Sequence, residues 1–428
     1  MKPIPSLIAV FLSIPAALTA TASADPVVIT GKDLPRLLGK PISLIAVTNR
    51  SGAAIPFQID EVTKEGEYVL DKGESPNAKD GNGVLDERDE IVFLWDDADI
   101  FDISANINNT DINNDLDTNN GIDNNVNNTG IGTTITLTRG AEKRTVTVVF
   151  DPTSSLPRSS KSYVNYNHKT GRVATPYYYA DFAKDRFHFV RAGVTDFASG
   201  GYVDLTNELR VEILLKTLFG LIPIRYGEDD LVCFVRRYKV GRIRLIRRGD
   251  FHLNLGLGVK GSRAAVNQIC YSRAVKVPVY VHLPIRFRGL FGQAHVEMTP
   301  VIREAGRRFI FAAPSEKLYF PVSGGKLDTL HQSMPLRRMF TLKSGAAGYG
   351  WILDATTPPD QISGSGFIMR RPGTRGTGIA ECGFRLTVRD VPKGNYYITN
   401  WVLFSGGKPG DIEKLGKGLM EPISVISD

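Results

Sequence analysis

Short runs of β-branched and aromatic residues recur along the whole chain, most of them ended by Gly, Pro, Asn or Asp, and long helical periodicity is scarce. Thr133 to Thr138 and Arg144 to Phe150 flank Arg139-Gly140-Ala141-Glu142-Lys143, which reads as a hairpin. Tyr163 to Asn167 and Arg172 to Tyr179 flank His168-Lys169-Thr170-Gly171, which reads as another. Leu231 to Tyr238, Arg242 to Ile246, Phe251 to Leu257, Val275 to Leu283, Phe384 to Val388 and Tyr396 to Phe404 continue the pattern. With 42 Gly and 24 Pro to supply turns, the expected class is mainly β, a large antiparallel β-sandwich architecture with a small acidic N-terminal β module. Asn207 to Phe219, with Thr206 as a cap, suits a helix or a strand. No repeat of fixed period points to blades or a solenoid.

The amino terminus reads as an export leader. Lys2 precedes an apolar run from Leu7 to Leu18, and Ala22-Ser23-Ala24 offers a small-x-small cleavage site before Asp25. The run is shorter than the roughly 20 residues of a membrane span. No cysteine follows it for lipid attachment, and no later stretch is long and apolar enough for a transmembrane helix. A periplasmic or secreted protein is therefore expected, after cleavage near Ala24. Cys233, Cys270 and Cys382 are too few for a disulfide scaffold; a Cys233–Cys270 bridge and three buried thiols both fit.

Charge divides the chain. From Asp25 to Gly132 there are 8 Lys+Arg against 21 Asp+Glu, and from Thr133 onward 43 against 24. An acidic β module (25–103) is thus followed by an Asn/Asp-rich linker (104–132) and a basic β-rich body (133–428) with room for two sandwich domains.

The most distinctive local motif is Asp80-Gly81-Asn82-Gly83-Val84-Leu85-Asp86-Glu87-Arg88-Asp89-Glu90. It combines hard oxygen donors, a glycine at a sharp turn, an apolar fastener and a closing carboxylate, and it resembles the calcium loop of the EF-hand and dockerin type. That resemblance implies calcium as cofactor, held by Asp80, Asn82, the Val84 carbonyl, Asp86 and Asp89. The chain departs from the pattern at Ala78, in the first-ligand position, and at Asp89, where Glu is usual. A solvated acidic turn is the other reading.

Arginine is concentrated in Arg236 to Arg248. Extended, this stretch puts Arg242 and Arg244 on one face and Ile243 and Leu245 on the other, and Arg286 and Arg288 repeat the spacing. Arg242, Arg244, Arg247, Arg286 and Arg288 are accordingly the candidate ligand-binding residues, since the guanidinium fork suits carboxylate, sulfate and phosphate. Expected partners are an anionic polysaccharide or cell-surface component, or the protein's own acidic front; a solvated edge strand fits the same pattern. Nucleic acid is not expected, because no nucleic-acid fold motif accompanies the charge.

Catalytic patterns are faint. The six histidines lack metal-ligand spacing, and Gly364-Ser365-Gly366 lacks the flanks of a nucleophile elbow. Tyr177-Tyr178-Tyr179 and Asn395-Tyr396-Tyr397 with Trp401 suit sugar stacking or a sheet core. The leading expectation is an exported, non-enzymatic binding or structural protein, calcium-stabilised, with a basic face for an anionic glycan. The alternative is a carbohydrate-active lyase or hydrolase on acidic polysaccharide, with Tyr178, Tyr179, His188 and His252 as candidates for proton transfer. An accessory subunit of another exported protein is a third.

Overall fold

The structure, a computed structural model, describes residues 25–100, 131–183, 188–197, 200–217, 222–227, 230–253, 264–283, 291–302, 309–313, 316–320, 330–333, 339–344, 347–355, 364–370, 380–388, 393–406 and 411–427. It is mainly β, and its strands pair antiparallel.

Two sheets of ten strands form the body. In the first, Ala380–Val388, Phe291–Ile302, Gly201–Thr217 and Phe189–Asp196 lie side by side, with Ile222–Tyr226 folded back on Gly201–Thr217. The segment that suited either helix or strand is strand as far as Thr217, because its residues find partners in Phe291–Ile302 on one edge and Ile222–Tyr226 on the other. In the second, Ala347–Ala355, Gly394–Ser405, Ala274–Leu283, Ala264–Tyr271, Arg244–Leu253 and Leu231–Val240 lie side by side. The inner faces share one core. Tyr178 of the first sheet stacks on Phe404 of the second at 4.2 Å between ring centroids, and Phe340 meets Phe384 at 5.1 Å. Such offset and edge contacts favour large aromatics where two sheets interdigitate.

The acidic front has its own core, but not from its own residues alone. Ile45–Thr48 pairs with Glu142–Phe150, which pairs with Ile131–Arg139, and Ser424–Ser427 closes that sheet. Ile135, Leu137, Val146 and Val148 from the hairpin pack with Val27, Ile91, Phe93 and Trp95. The chain therefore returns to the front twice after the Asn/Asp-rich segment, of which residues 104–130 lie outside the described residues and 131–132 open the Ile131–Arg139 strand.

Cys233, Cys270 and Cys382 are buried free thiols. Pairing places Cys233 opposite Phe251 and Phe251 opposite Ala264, so Cys270 lies six residues further along its strand. That offset is roughly 20 Å at about 3.3 Å per residue, too far for a bridge. Burial pushes the Cys233 and Cys270 thiols up to about 12.

Front and body are joined through buried charge. Asp60 and Arg244 are each 1% exposed; the Arg244 guanidinium contacts Asp60 at 2.8 Å and also pairs with Glu90. Lys239 reaches Asp60 at 2.9 Å, and Tyr271 Oη lies 3.1 Å from Arg244. Gln58 completes the junction: its amide donates to Asp60, and its carbonyl accepts the Ile243 and Arg244 N–H groups. A Cβ at Gly241 would fall 1.8 Å from the Gln58 carbonyl oxygen, so only glycine lets the two segments approach. Burial raises the Asp60 carboxyl, but Arg244, Lys239 and Gln58 together outweigh it and hold it below the usual carboxylate range.

Arg244→Met strands Asp60 and Glu90 without their shared cation and is expected to cost about 3–5 kcal/mol in denaturant unfolding. Asp60 has a depressed folded pKa, so its contribution is full above the unfolded value and lost as pH falls through the folded one. The gap in melting temperature between the native protein and Asp60→Asn should close in that acid range.

Candidate functional site

The arginine-rich strands meet the protein's own anions. Arg236 pairs with Glu74 at 2.8 Å, Arg237 with Glu67 at 2.9 Å, and Arg248 also with Glu67. Arg247 is 2% exposed, bonds to Gln268 and lies 4.0 Å over the Phe182 ring. Arg242 donates to the Ser159 carbonyl. Of the candidate ligand-binding set, Arg244 and Arg247 thus offer no charge to solvent, and Arg286 and Arg288 lie outside the described residues. Asp60, Glu67, Glu74 and Glu90 of the front thus meet strands that carry arginine among apolar residues. Fold formation itself uses the charge division seen in the sequence.

The Asp80 to Asp89 loop is held by backbone donors. Gly83 takes φ +72°, the left-handed conformation expected at the sharp turn. The Asp89 carboxylate is buried and accepts the Val62 and Asp86 N–H groups at 2.8 Å each. Asn82 Oδ1 accepts from Val84, and Asp86 Oδ1 from Arg88. Glu61, absent from the motif, accepts the N–H groups of Asn82 and Gly83, both at 2.8 Å. Among the described residues no group of three or more His, Cys, Asp or Glu side chains is arranged to hold a metal ion. Burial raises the Asp89 carboxyl, and the Asp86 and Glu61 charges add to the rise.

A different cluster gathers more chemistry. On one face of the first body sheet, a depression of about 250 Å³ is lined by Glu212, Leu214, Lys216, Arg225, His295, Glu297 and Arg385. Register explains the grouping. Glu212 lies directly opposite Glu297, Leu214 opposite both His295 and Arg225, and Glu297 opposite Arg385. Residues two apart on a strand share a face, so Glu212, Leu214 and Lys216 line up beside His295 and Glu297. Arg385 holds the nearly buried Glu297 with Nε at 2.6 Å, and Arg225 meets Glu212 at 3.1 Å. His295 Nδ1 lies 3.0 Å from Thr387 Oγ1, a contact that orients the ring. The Arg225 side chain is 70% exposed, so its guanidinium reaches solvent at the mouth.

This cluster was not among the residues singled out from the sequence. Its signal was the pair Glu212 and Lys216 around Ile213-Leu214-Leu215, and the His295-Val296-Glu297 triplet. Neither stands out until the strands are set side by side. The residues proposed for proton transfer lie elsewhere. Tyr178 is fully buried in the core, Tyr179 donates to Asp204, His188 is buried, and the His252 side chain lies outside the described residues. Among the aromatics, Tyr396 is buried. Tyr397 and Tyr280 are 56% and 47% exposed, with ring centroids 5.0 Å apart, and Tyr280 Oη donates to Asn395 at 2.7 Å.

No family model matches this chain, and no curated protein matches it. Solved structures similar to it include an alpha-mannosidase from Enterococcus faecalis V583, at 8% identity and TM-score 0.45, covering 95% of this chain and 45% of that one. A protein in glycosyl hydrolase family 38 from Enterococcus faecalis aligns at 7% identity and TM-score 0.45, covering 95% and 46%. The chain spans under half the length of either structure. Similarity at this level establishes neither a shared fold nor a shared activity.

Melting in calcium and in chelator tests the ion, and an unchanged midpoint would leave the loop held by its backbone donors to Asp89 and Glu61 alone. A rise with calcium would assign the ion to oxygens of Asp80 and Asp86. Glu61→Ala, which strips two N–H groups of their acceptor, should lower stability by about 1–3 kcal/mol in either medium.

Proposed function

We propose that this chain is a carbohydrate-active protein directed at acidic polysaccharide, with the Glu212–His295–Glu297 depression as its site. One observation carries the reading: four strands bring an imidazole, two carboxylates and three cations to one concave patch. Arg225 and Lys216 suit the carboxylate of a uronate ring, because a cation there stabilises the negative charge that builds when the adjacent carbon loses its proton. His295, oriented through Nδ1 by Thr387, supplies the base. In a β-elimination the base removes that proton, the bond between the neighbouring ring carbon and the glycosidic oxygen breaks, a carbon–carbon double bond forms, and the departing oxygen takes up a proton. Glu297, fixed by Arg385, keeps the patch polar and the strand faces in register.

The export leader supports a polysaccharide substrate, since such polymers lie outside the cytoplasm. The exposed Tyr280 and Tyr397 rings, with Asn395 at their edge, favour a second reading in which the chain binds glycan without cleaving it.

A screen of uronate-containing polysaccharides tests both. Elimination gives an unsaturated product with ultraviolet absorbance, and His295→Ala should lower kcat by about 10²–10⁴-fold, with Arg225→Ala acting mainly on KM. New reducing ends without that absorbance would reassign the chemistry to hydrolysis by Glu212 and Glu297. Binding without product, lost in Tyr397→Ala, would establish the second reading.

A further inference from the structure

Asp25, the residue that follows the Ala22-Ser23-Ala24 cleavage site, is 1% exposed. Few chain positions so close to a removable leader are buried, since termini ordinarily lie at the surface. Here three elements enclose it. Its carboxylate meets Arg139 at 2.5 Å, and the Arg139 guanidinium lies 4.3 Å over the Trp95 ring. A Cβ at Gly418 of the helix Asp411–Met420 would fall 2.2 Å from Asp25 Oδ2, so that helix presses directly on the pair. The Asp25 carbonyl accepts the Trp95 N–H at 2.8 Å.

The same junction is rich in negative charge. Pro26 pairs with Leu94 in an antiparallel ladder, so moving back from Pro26 to the Asp25 nitrogen runs alongside Trp95 toward Asp96. Asp96 Oδ1 lies 3.3 Å from Arg144, but its Oδ2 is buried and finds no hydrogen-bond partner among the described residues. Asp97 spends its Oδ1 on Tyr163, at 2.6 Å. A buried carboxylate oxygen without a donor is costly. The nearest backbone nitrogen that processing would convert into a cation is that of Asp25.

We propose that hydrolysis of the Ala24–Asp25 peptide bond supplies the missing donor: the new α-ammonium of Asp25 becomes the counter-ion of Asp96 and fastens the first strand into this junction. Water adds across the bond, Ala24 departs with a carboxylate, and the freed Asp25 amine takes up a proton at neutral pH. Leader removal is then a stabilising modification as well as a release from the export machinery, and it is independent of the polysaccharide site.

The Asp96 carboxyl shows what such a counter-ion would relieve. Burial pushes the Asp96 carboxyl up to about 7. Arg144, Lys414 and Arg139 pull it down and Asp25 pushes it up, while Tyr163 and Tyr177 face the same group. A raised carboxyl loses stability as pH climbs to its folded value, so a protein with a blocked Asp25 nitrogen should melt higher at about pH 6 than at about pH 8. With a free ammonium that dependence should flatten. The ammonium's own contribution should disappear as pH rises past its folded value, above the ordinary α-amino range of about 7.7–8.0.

The test compares two proteins that both begin at Asp25, one with a free amine and one Nα-acetylated. Near neutral pH the free form should melt several degrees higher, and Asp96→Asn should abolish the difference. Equal melting across pH, or a difference that survives Asp96→Asn, overturns the proposal. Should Asp96→Asn not fold, an NMR titration of the α-amine decides: a value above the ordinary range supports the pairing, and an ordinary value refutes it.

Discussion

The structure depends on one buried ion pair that neither half of the chain can form alone. Asp60 comes from the acidic front and Arg244 from the body, and both are almost wholly withdrawn from water. Desolvating two such charges is tolerable only when each is multiply satisfied. Gln58, Lys239, Glu90 and Tyr271 do this, and they come from several elements of both parts. Removing any one leaves the others short of a partner, so front and body are expected to hold together as a unit. Gly241 contributes by having no side chain, which lets the Gln58 amide reach the backbone of Ile243 and Arg244.

That interface also settles the meaning of the charge division. A chain with an acidic front and a basic body could offer its cations to an external anion or to itself. The guanidinium groups of Arg236, Arg237, Arg244 and Arg248 go to Glu74, Glu67, Asp60 and Glu90. Among the described residues, Lys216 and Arg225 on the opposite body sheet border the Glu212–Glu297 depression, and the exposed Arg242 lies beside the junction. The contrast is one of burial: a paired, desolvated arginine contributes to folding, whereas an arginine with an exposed head remains available to a ligand.

The strands were legible in the sequence wherever β-branched and aromatic residues alternated between turn signals, as in the hairpin from Ile131 to Phe150 and the run from Leu231 to Leu253. Asn207 to Phe219 stayed ambiguous because its residues suit a half-buried surface in either form; its strand conformation, as far as Thr217, comes from partners that begin only at Phe291, in Phe291–Ile302. The candidate site was not legible for a related reason. Glu212, Arg225, His295 and Arg385 are distant in sequence and individually ordinary, and only cross-strand register makes them neighbours. The Asp80 to Asp89 motif shows the converse case. Its sharp turn at Gly83 was readable, but Glu61 was not, because it enters from outside the motif.

What the sequence by itself determined is local: a β class set by side-chain alternation, and two oppositely charged halves. What the tertiary structure decided is which charge meets which. Coulomb attraction and desolvation act between side chains in space, whatever their separation along the chain. The pairing of Asp60 with Arg244, of Glu297 with Arg385 and of Asp25 with Arg139 is therefore fixed only when the strands close into sheets.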